Sequence, residues 1–289
     1  MSAKITTRTI DANGLSFVVD EAGEGDAVAL LLHGFPESRI SWRHQLPVLA
    51  AQGWRAIAPD LRGFGHSSRP PRARDYRLEV LTADVAGLFE AVGAKRRLLI
   101  GHDWGGAVAW TCAALRCAPL DGLVVMNCPH PAAMMRAVRT SWDQRRRSWY
   151  MAFFKLPWLP EALIRANGAR AIERLFADQP ADVREIYRRN ALIPGAMTTM
   201  LNYYRANFGR DPFAGAAPVI KTPTLLIWGD ADRYVGPKAM REGYDALVDD
   251  LTLSRLAGVS HWVQQAAPEA VNRVLLDWLE LRHIKVNLD

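Results

Sequence analysis

The chain has 289 residues, of which 49% are hydrophobic and 23% are charged, the composition of an ordinary globular protein. Its net charge of +6 is modest, and the arginines form no basic stripe within a nucleic-acid-binding motif, so we expect no nucleic-acid partner. No uninterrupted apolar run approaches the roughly 20 residues that a membrane-spanning helix needs.

The cysteines and the start of the chain predict a cellular compartment. Cys112, Cys117 and Cys128 are odd in number, and none is placed beside an activating base. Met1 to Ile10 contain no long apolar segment of the kind found in secretory signals. We therefore expect buried free thiols and a cytoplasmic protein.

The first part of the chain alternates predicted strands with predicted helices. Residues 4–21 predict a hairpin of two strands joined at Ala12-Asn13-Gly14. The apolar run Ala27–Leu32 predicts a strand that is buried on both faces. We predict a helix from a Ser41 cap to about Gln52, another over 78–92, and strands over 54–58, 98–100 and 120–126. Such alternation is typical of a mostly parallel sheet with helices on both faces.

The alternation stops near residue 132. Residues 132–216 show helical periodicity, many arginines and aromatic residues, and no convincing strand. Strand and helix patterns then resume over 224–281. We predict an α/β core formed by 1–131 and 217–289, interrupted by an all-helical insertion over 132–216. Ligands bind beyond the carboxyl ends of the strands in open α/β sheets, and we expect the insertion to lie there.

The most informative stretch is Gly101-His102-Asp103-Trp104-Gly105-Gly106, which follows the strand at 98–100. Asp103 has a glycine two residues away on either side, the spacing of the G-x-S-x-G nucleophile elbow with aspartate in place of serine. Small neighbours allow a sharp turn that projects the central side chain above the sheet. The same pattern alone also fits an ordinary strand-to-helix turn.

Two later loops supply possible partners for Asp103. Gly229-Asp230-Ala231-Asp232 follows one predicted strand, and Gly258-Val259-Ser260-His261 follows the last one. Together with His33-Gly34-Phe35-Pro36 and the loop over 60–65, these motifs occur in the order that α/β-hydrolases use. Over almost its whole length the chain resembles that superfamily, and specifically its epoxide hydrolase branch.

This resemblance implies a role for each matching residue. It makes Asp103 the nucleophile and His261 the base, and it places the oxyanion-binding amides at Phe35 and Trp104. The acid that orients His261 maps to Asp232. Asp230 is the alternative, although it directly follows Gly229 and could instead be a turn residue that bonds its own backbone. No cofactor and no metal are implied, and the histidines show no metal-ligand spacing.

An aspartate nucleophile restricts the chemistry. A carboxylate is already an anion near neutral pH and can attack a saturated carbon without a base. The product is an alkyl ester, which water can hydrolyse at the aspartate's own carbonyl, whereas serine would leave a stable ether. We therefore expect an epoxide or an alkyl halide as substrate, and not an ordinary ester.

Two tyrosines of the insertion favour the epoxide, whose alkoxide leaving group needs a proton donor. The segments around Tyr150 and Tyr204 resemble the two cap motifs of epoxide hydrolases, and Tyr203 is the alternative to Tyr204. Fluoroacetate dehalogenases tend to have histidine at the first of these positions and arginine after the nucleophile, where this chain has Trp104. Haloalkane dehalogenases usually carry asparagine or glutamate where Phe35 stands.

The sequence therefore predicts an α/β-hydrolase with a helical cap that converts a small apolar epoxide and water into a vicinal diol. The residues expected to contact substrate are Trp104, Phe153, Phe154 and Tyr203. A haloalkane or haloacid dehalogenase is the first alternative, and a non-catalytic ligand-binding protein on the same scaffold is the second. The oligomeric state, monomer or homodimer, stays open.

Overall fold

One sheet of eight strands runs through the computed structural model, which describes residues 3–286. The strand order is β1-β2-β4-β3-β5-β6-β7-β8. The strands are β1 (Thr6–Ala12), β2 (Leu15–Ala22), β3 (Ala27–Leu32), β4 (Arg55–Pro59), β5 (Arg96–His102), β6 (Gly122–Met126), β7 (Thr224–Gly229) and β8 (Leu251–Leu256).

Strand direction divides this sheet into two parts. The β1–β2 hairpin turns at Asn13 and Gly14, both with positive φ, and β2 pairs antiparallel with β4. From β4 to β8 all pairings are parallel. β3 is buried at every residue, as expected for a strand covered on both faces. The predicted α/β class and the predicted hairpin are confirmed.

Helices cover both faces of the sheet. The helices are α1 (Leu46–Ala50), α2 (Leu78–Ala91), α3 (Trp104–Leu115), α4 (Pro131–Thr140), α5 (Trp142–Arg147), α6 (Trp149–Phe153), α7 (Leu159–Leu175), α8 (Ala181–Leu192), α9 (Ala196–Asn207), α10 (Pro237–Arg241), α11 (Val263–Ala266) and α12 (Pro268–Leu281). Alternate residues of β5 enter different cores: Leu99 packs with α2 and α3, whereas Leu98 and Ile100 pack with α1 and α12.

Six helices, α4 to α9, occupy the chain between β6 and β7, and within this described stretch no residue is assigned to a strand. The helical character predicted for it is confirmed, while the domain limits at 131/132 and 216/217 stay a prediction. In residues 3–286 no helix is both long enough and apolar enough to cross a membrane.

The prediction of a helix that begins at a Ser41 cap was wrong. Ser41 lies inside a short 3₁₀ helix, Arg39–Trp42, and α1 begins only at Leu46. Pro47 explains the later start, because proline has no backbone N–H to donate and is accommodated in the first turn of a helix.

The prediction of three free thiols was also wrong. Cys112 and Cys117 form a disulfide, and Cys128 is free and buried. Arg116, with φ of 53°, ends α3 in the left-handed conformation, and the Cys117 amide donates to the Cys112 carbonyl at 3.0 Å. This turn brings the two Cα atoms within 5.1 Å, which a reading by local sequence pattern did not anticipate.

Candidate active site

Asp103 lies at the turn between β5 and α3, with φ of 49° and ψ of −120°. The glycines on either side are required by close contacts of the backbone. A Cβ at Gly101 would lie 2.4 Å from the Gly105 carbonyl oxygen, and one at Gly105 would lie 2.1 Å from the Leu32 carbonyl oxygen. The elbow spacing therefore reflects a turn that only small residues permit, and strain of this kind is characteristic of functional sites.

A backbone amide contacts one oxygen of the Asp103 carboxylate. The Phe35 N–H donates to Asp103 Oδ1 at 2.8 Å. Trp104 is the first residue of α3, where a backbone N–H has no intrahelical acceptor. The Trp104 amide thus follows Asp103 in the chain without a helical acceptor, and Asp103 Oδ2 lies on the side of His261, 3.6 Å from its Nε2.

The same histidine contacts the acid predicted from the sequence. His261 Nδ1 lies 2.7 Å from Asp232 Oδ2, and the carboxylate is buried. Asp230 instead accepts from the Gly258 amide at 2.7 Å and pairs with Arg255. Asp103, His261 and Asp232 come together, and Asp230 does not contact the histidine.

Burial and charge act in opposite directions on these three groups. Burial alone would raise the pKa of the Asp103 carboxyl, but His261 outweighs it and holds that pKa below its usual value. The pKa of Asp232 is likewise lowered by His261 against the effect of burial. Burial would lower the pKa of His261, yet the two carboxylates raise it to about 10. Near neutral pH the free site therefore holds an imidazolium between two carboxylates.

Asn127, at the end of β6, fixes the loop that carries the acid. Its side-chain amide donates to Asp232 Oδ2 at 2.8 Å, and its carbonyl oxygen accepts from the Gly229 amide at 2.9 Å. Asp232 Oδ1 also accepts from the amides of Tyr234 and Val235. Asn127 was not among the site residues predicted from the sequence, although its position directly after a strand was a usable signal.

A second buried pair, Glu37 and His102, lies behind His261. His102 Nδ1 is 2.7 Å from Glu37 Oε2, and its Nε2 is 2.9 Å from the His261 carbonyl oxygen. Glu37 also accepts from the Gly34 amide at 2.9 Å. His102 therefore holds the backbone of His261 in place.

Tyr150 of α6 and Tyr204 of α9 face Asp103 from the helical segment. Their ring centroids are 6.0 Å apart, and the Tyr204 ring is 5.0 Å from that of Trp104. Burial raises the pKa of both phenols well above its usual value, as does the charge of Asp103, so both are neutral donors. The Tyr203 hydroxyl points elsewhere and donates to the Arg62 carbonyl at 2.9 Å.

Two cavities meet at this point. Both are lined by Asp103, Tyr150, Tyr204, Tyr234 and His261. The methionine cavity, of about 240 Å³, extends along Met134, Met135, Val138 and Met151. The arginine cavity, of about 650 Å³, extends past Phe35, Phe153 and Phe154 to Arg146, Arg147 and Arg233.

The cavity linings decide which residues can touch a ligand. Trp104 lines the methionine cavity, and Phe153 and Phe154 line the arginine cavity, so their predicted contact with substrate stays a prediction. The substrate contact predicted for Tyr203 needs correction: its ring is fully buried and lines neither cavity, because the side chain points to Arg62. Tyr234, which the sequence reading missed, lines both cavities beside His261.

Comparison with known proteins places this geometry in a family. A model described as the alpha/beta hydrolase fold matches residues 28–268. Epoxide hydrolase 3 of Xenopus tropicalis is 35% identical, over 93% of this chain and 76% of its own length. The chain belongs to the α/β-hydrolase fold family, in its epoxide hydrolase branch.

Two further relatives also align with this chain over most of its length. The AB hydrolase superfamily protein YfhM of Bacillus subtilis is 35% identical, over 94% of this chain and 96% of its own. A crystal structure of Bacillus megaterium epoxide hydrolase in complex with an inhibitor is 29% identical, with a TM-score of 0.86, and is matched over 94% of this chain and 100% of its own. The α/β-hydrolase fold thus accounts for both the sheet order and the place of the elbow.

Proposed function

We propose that the protein hydrolyses apolar epoxides to vicinal diols through an ester of Asp103. The observation that carries this proposal is the pair of tyrosines, Tyr150 and Tyr204, that line the cavities beside the Asp103 carboxylate. Two neutral phenols can protonate an alkoxide leaving group, which a halide does not need. The relatives named epoxide hydrolases support the same reaction.

In the first step the Asp103 carboxylate attacks one carbon of the epoxide ring. The hydrogen bond from the Phe35 amide holds Oδ1 and leaves Oδ2 as the attacking oxygen. As the new C–O bond forms, the ring C–O bond breaks, and a phenol proton from Tyr150 or Tyr204 moves to the departing oxygen. The result is a hydroxyalkyl ester of Asp103 and a tyrosinate.

The second step is the hydrolysis of that ester. Esterification removes the negative charge of Asp103, which is one of the two causes that raise the pKa of His261, so the pKa falls and the imidazolium can return its proton to the tyrosinate. Neutral His261, held by Asp232, then takes a proton from water as the water attacks the carbonyl carbon. The oxyanion develops at Oδ1, next to the amides of Phe35 and Trp104. As this intermediate collapses, the bond between Cγ and Oδ2 breaks and the departing alkoxide takes the proton of the new Asp103 carboxyl group. The diol is released, and the Asp103 carboxylate and the His261 imidazolium are restored.

A substrate panel with Asp103→Asn as the blank tests this proposal. Styrene-type and aliphatic epoxides, haloalkanes and haloacids are offered to the wild-type protein, and diol and free halide are measured. We expect diol from epoxides, no halide release and no turnover by the blank. Halide release without diol would overturn the epoxide assignment in favour of a dehalogenase, and failure of every substrate class would indicate a non-catalytic ligand-binding protein.

The substrate proposed here is a small apolar epoxide with water as the second reactant and no cofactor. The cytoplasmic location inferred from sequence stays a prediction, and the Cys112–Cys117 disulfide removes the free-thiol argument for it. Fractionation of expressing cells would test the location, and light scattering would decide between monomer and homodimer.

A further inference from the structure

An exposed face of α5 and α6 carries tryptophan and arginine in a regular pattern. Trp142, Arg145, Arg146 and Trp149 follow the spacing i, i+3, i+4 and i+7, which places them on one side of a helix. All four are exposed, and the two tryptophans have 80% and 66% of their surface accessible. The Ser148 amide donates to the Gln144 carbonyl at 2.9 Å, so the helical path continues across the α5–α6 junction. We call these four residues the Trp-Arg face.

The opposite side of α5 and α6 explains why this face points outward. Gln144 is buried, and its side chain bonds to the Tyr234 carbonyl and the Gly236 amide in the loop after β7. Ser148 is also buried and accepts from the Gln144 amide group. These contacts fix the rotation of the helices, and the tryptophans are therefore held at the surface.

Positive charge is concentrated in the segment of chain that carries the Trp-Arg face. Residues 131–175 contain nine Lys or Arg and three Asp or Glu, a net charge of +6, which equals the net charge of the whole chain. The remainder of the chain is thus neutral on balance. The same segment holds five of the large hydrophobic side chains that are exposed: Trp142, Trp149, Leu156, Trp158 and Leu163. Basic charge and exposed aromatic surface coincide there.

The Trp-Arg face also lies at the edge of the arginine cavity. Arg146 and Trp149 line that cavity, as does Phe153, whose ring centroid is 6.1 Å from that of Trp149. Arg145 and Trp142 line neither cavity and pack on each other, with the guanidinium carbon 5.5 Å from the indole centroid. The face thus extends from the cavity that contains Asp103 onto the outer surface.

We propose that the Trp-Arg face docks the protein on the surface of an anionic lipid bilayer. Tryptophan is favoured at the boundary between lipid headgroups and acyl chains, and arginine is attracted to anionic headgroups. Docking in this orientation brings the arginine cavity to the bilayer, in which apolar molecules dissolve. A second copy of the chain suits this face less well, because a symmetric contact would oppose two segments of charge +6.

Sedimentation with lipid vesicles tests the docking. Wild-type protein is mixed with phosphatidylcholine vesicles that contain or lack phosphatidylglycerol, at low and at high salt. The test variant is Trp142→Ala with Arg145→Gln, since both side chains lie outside the two cavities. The matched control is Leu281→Ala with Arg273→Gln, which removes an exposed apolar residue and an exposed arginine from α12.

We expect wild type and control to bind the anionic vesicles and to be released by high salt. The test variant should bind these vesicles roughly tenfold more weakly, and the loss of one arginine charge should account for about fivefold of that weakening. Turnover of a water-soluble epoxide should be the same in all three. Trp142→Ala alone, which keeps the Arg145 hydrogen bond to the Val138 carbonyl, replaces the double variant should that fail to fold.

Three results would overturn the proposal. One is the absence of binding to any vesicle, and another is equal loss of binding in the test variant and the control. The third is a wild-type dimer in light scattering that the test variant converts to monomer, which would make a second copy the occupant of the face. Vesicle binding is measured without turnover, so the test of docking is independent of the test of the proposed hydrolase activity.

Discussion

The strand-to-helix turn at Asp103 and the helices that carry Tyr150 and Tyr204 place functional groups in different ways. At the turn the backbone sets the position, through the positive φ of Asp103 and the close approach of Gly101 and Gly105 to neighbouring carbonyls. In the helices, which come from distant parts of the chain, contacts between aromatic rings set the positions of the two tyrosines. Tyr204, for example, packs edge-on against Tyr150, Trp104 and two phenylalanines.

This difference divides the groups that carry out the proposed reaction between two regions. The nucleophile, the oxyanion amides and the His261–Asp232 pair belong to strand ends and their loops, whereas the proton donors belong to α6 and α9. Substitutions in the core should therefore abolish ester formation or ester hydrolysis. Substitutions of the tyrosines should weaken only ring opening.

Asp103→Asn should have the largest effect. The amide keeps an oxygen for the Phe35 N–H but lacks the nucleophilic charge, so the fold is retained and kcat falls by roughly 10⁵-fold or more. Diol formation and thermal unfolding are measured together. Normal turnover by this variant, once its mass shows that the substitution is intact, would refute the role of Asp103.

Asp232→Asn should arrest the reaction after ester formation. His261 loses its charged partner, and we expect ester hydrolysis to slow by about 10⁴-fold while ring opening persists, so that the alkylated protein accumulates in a rapid-quench mass spectrum. The matched control is Asp230→Asn, two residues away. Its carboxylate bonds to Gly258 and Arg255 and, among residues 3–286, not to His261, so turnover should stay within about twofold of wild type. A larger loss in the control would reverse the assignment of the acid.

Tyr150→Phe with Tyr204→Phe tests the contribution of the helical segment. Ring opening should slow by roughly 10³-fold, because both phenols that protonate the departing oxygen are lost, and each single variant should lose less. The single-turnover rate of ester formation is the relevant measurement. Tyr203→Phe is the control, because its hydroxyl bonds to the Arg62 carbonyl away from both cavities, and its rate should be nearly unchanged. Intact epoxide turnover by the double variant would contradict the assignment of the proton donors.

The smallest expected effect is a lower pKa of His261 in Asp103→Asn. The pKa of His261 is raised to about 10 with the charges of Asp103 and Asp232 among the causes, so Asp103→Asn, like esterification, should lower it. Titration of the His261 ring followed by NMR in both proteins measures the shift. An equal or higher pKa in Asp103→Asn would refute the coupling on which the second step depends.

The pH dependence of the unfolding free energy gives an independent check on the raised pKa of His261. The folded pKa of His261 lies above its ordinary value of 6.5, so its stabilising contribution is full below pH 6.5 and is lost as the pH rises through about 10. The loss of unfolding free energy across this window should be smaller in Asp103→Asn than in wild type. Denaturant titrations at several pH values would detect it.

The same contrast explains how much of the molecule the sequence predicted. The strands and the elbow were predictable because buried apolar runs and glycine spacing reflect local backbone requirements. The order Asp103, Asp232, His261 was predictable because strand ends meet at one edge of the sheet. The choice of Asp232 over Asp230 rested on motif alignment, and the structure now gives its physical basis in the hydrogen bonds from Asn127 and the Tyr234 amide.

Features that depend on packing between distant segments were not predictable. The Glu37–His102 pair joins residues 65 positions apart, and neither residue has a local signal. The fully buried position of Tyr203 follows from its neighbours Phe64 and Tyr76, which belong to a different part of the chain. The Cys112–Cys117 disulfide depends on a left-handed residue, Arg116, at a helix end, where sequence more often places glycine.

A single turnover in ¹⁸O-labelled water, with protein in excess over epoxide, tests the central claim most directly. Water attacks the Asp103 ester at its carbonyl carbon, so the account predicts that ¹⁸O enters the Asp103 carboxylate while the first diol carries none. A second turnover should then transfer label from Asp103 to the diol. Label in the diol of the first turnover, with none in the peptide that contains Asp103, would show direct attack of water on the epoxide and would contradict the covalent mechanism.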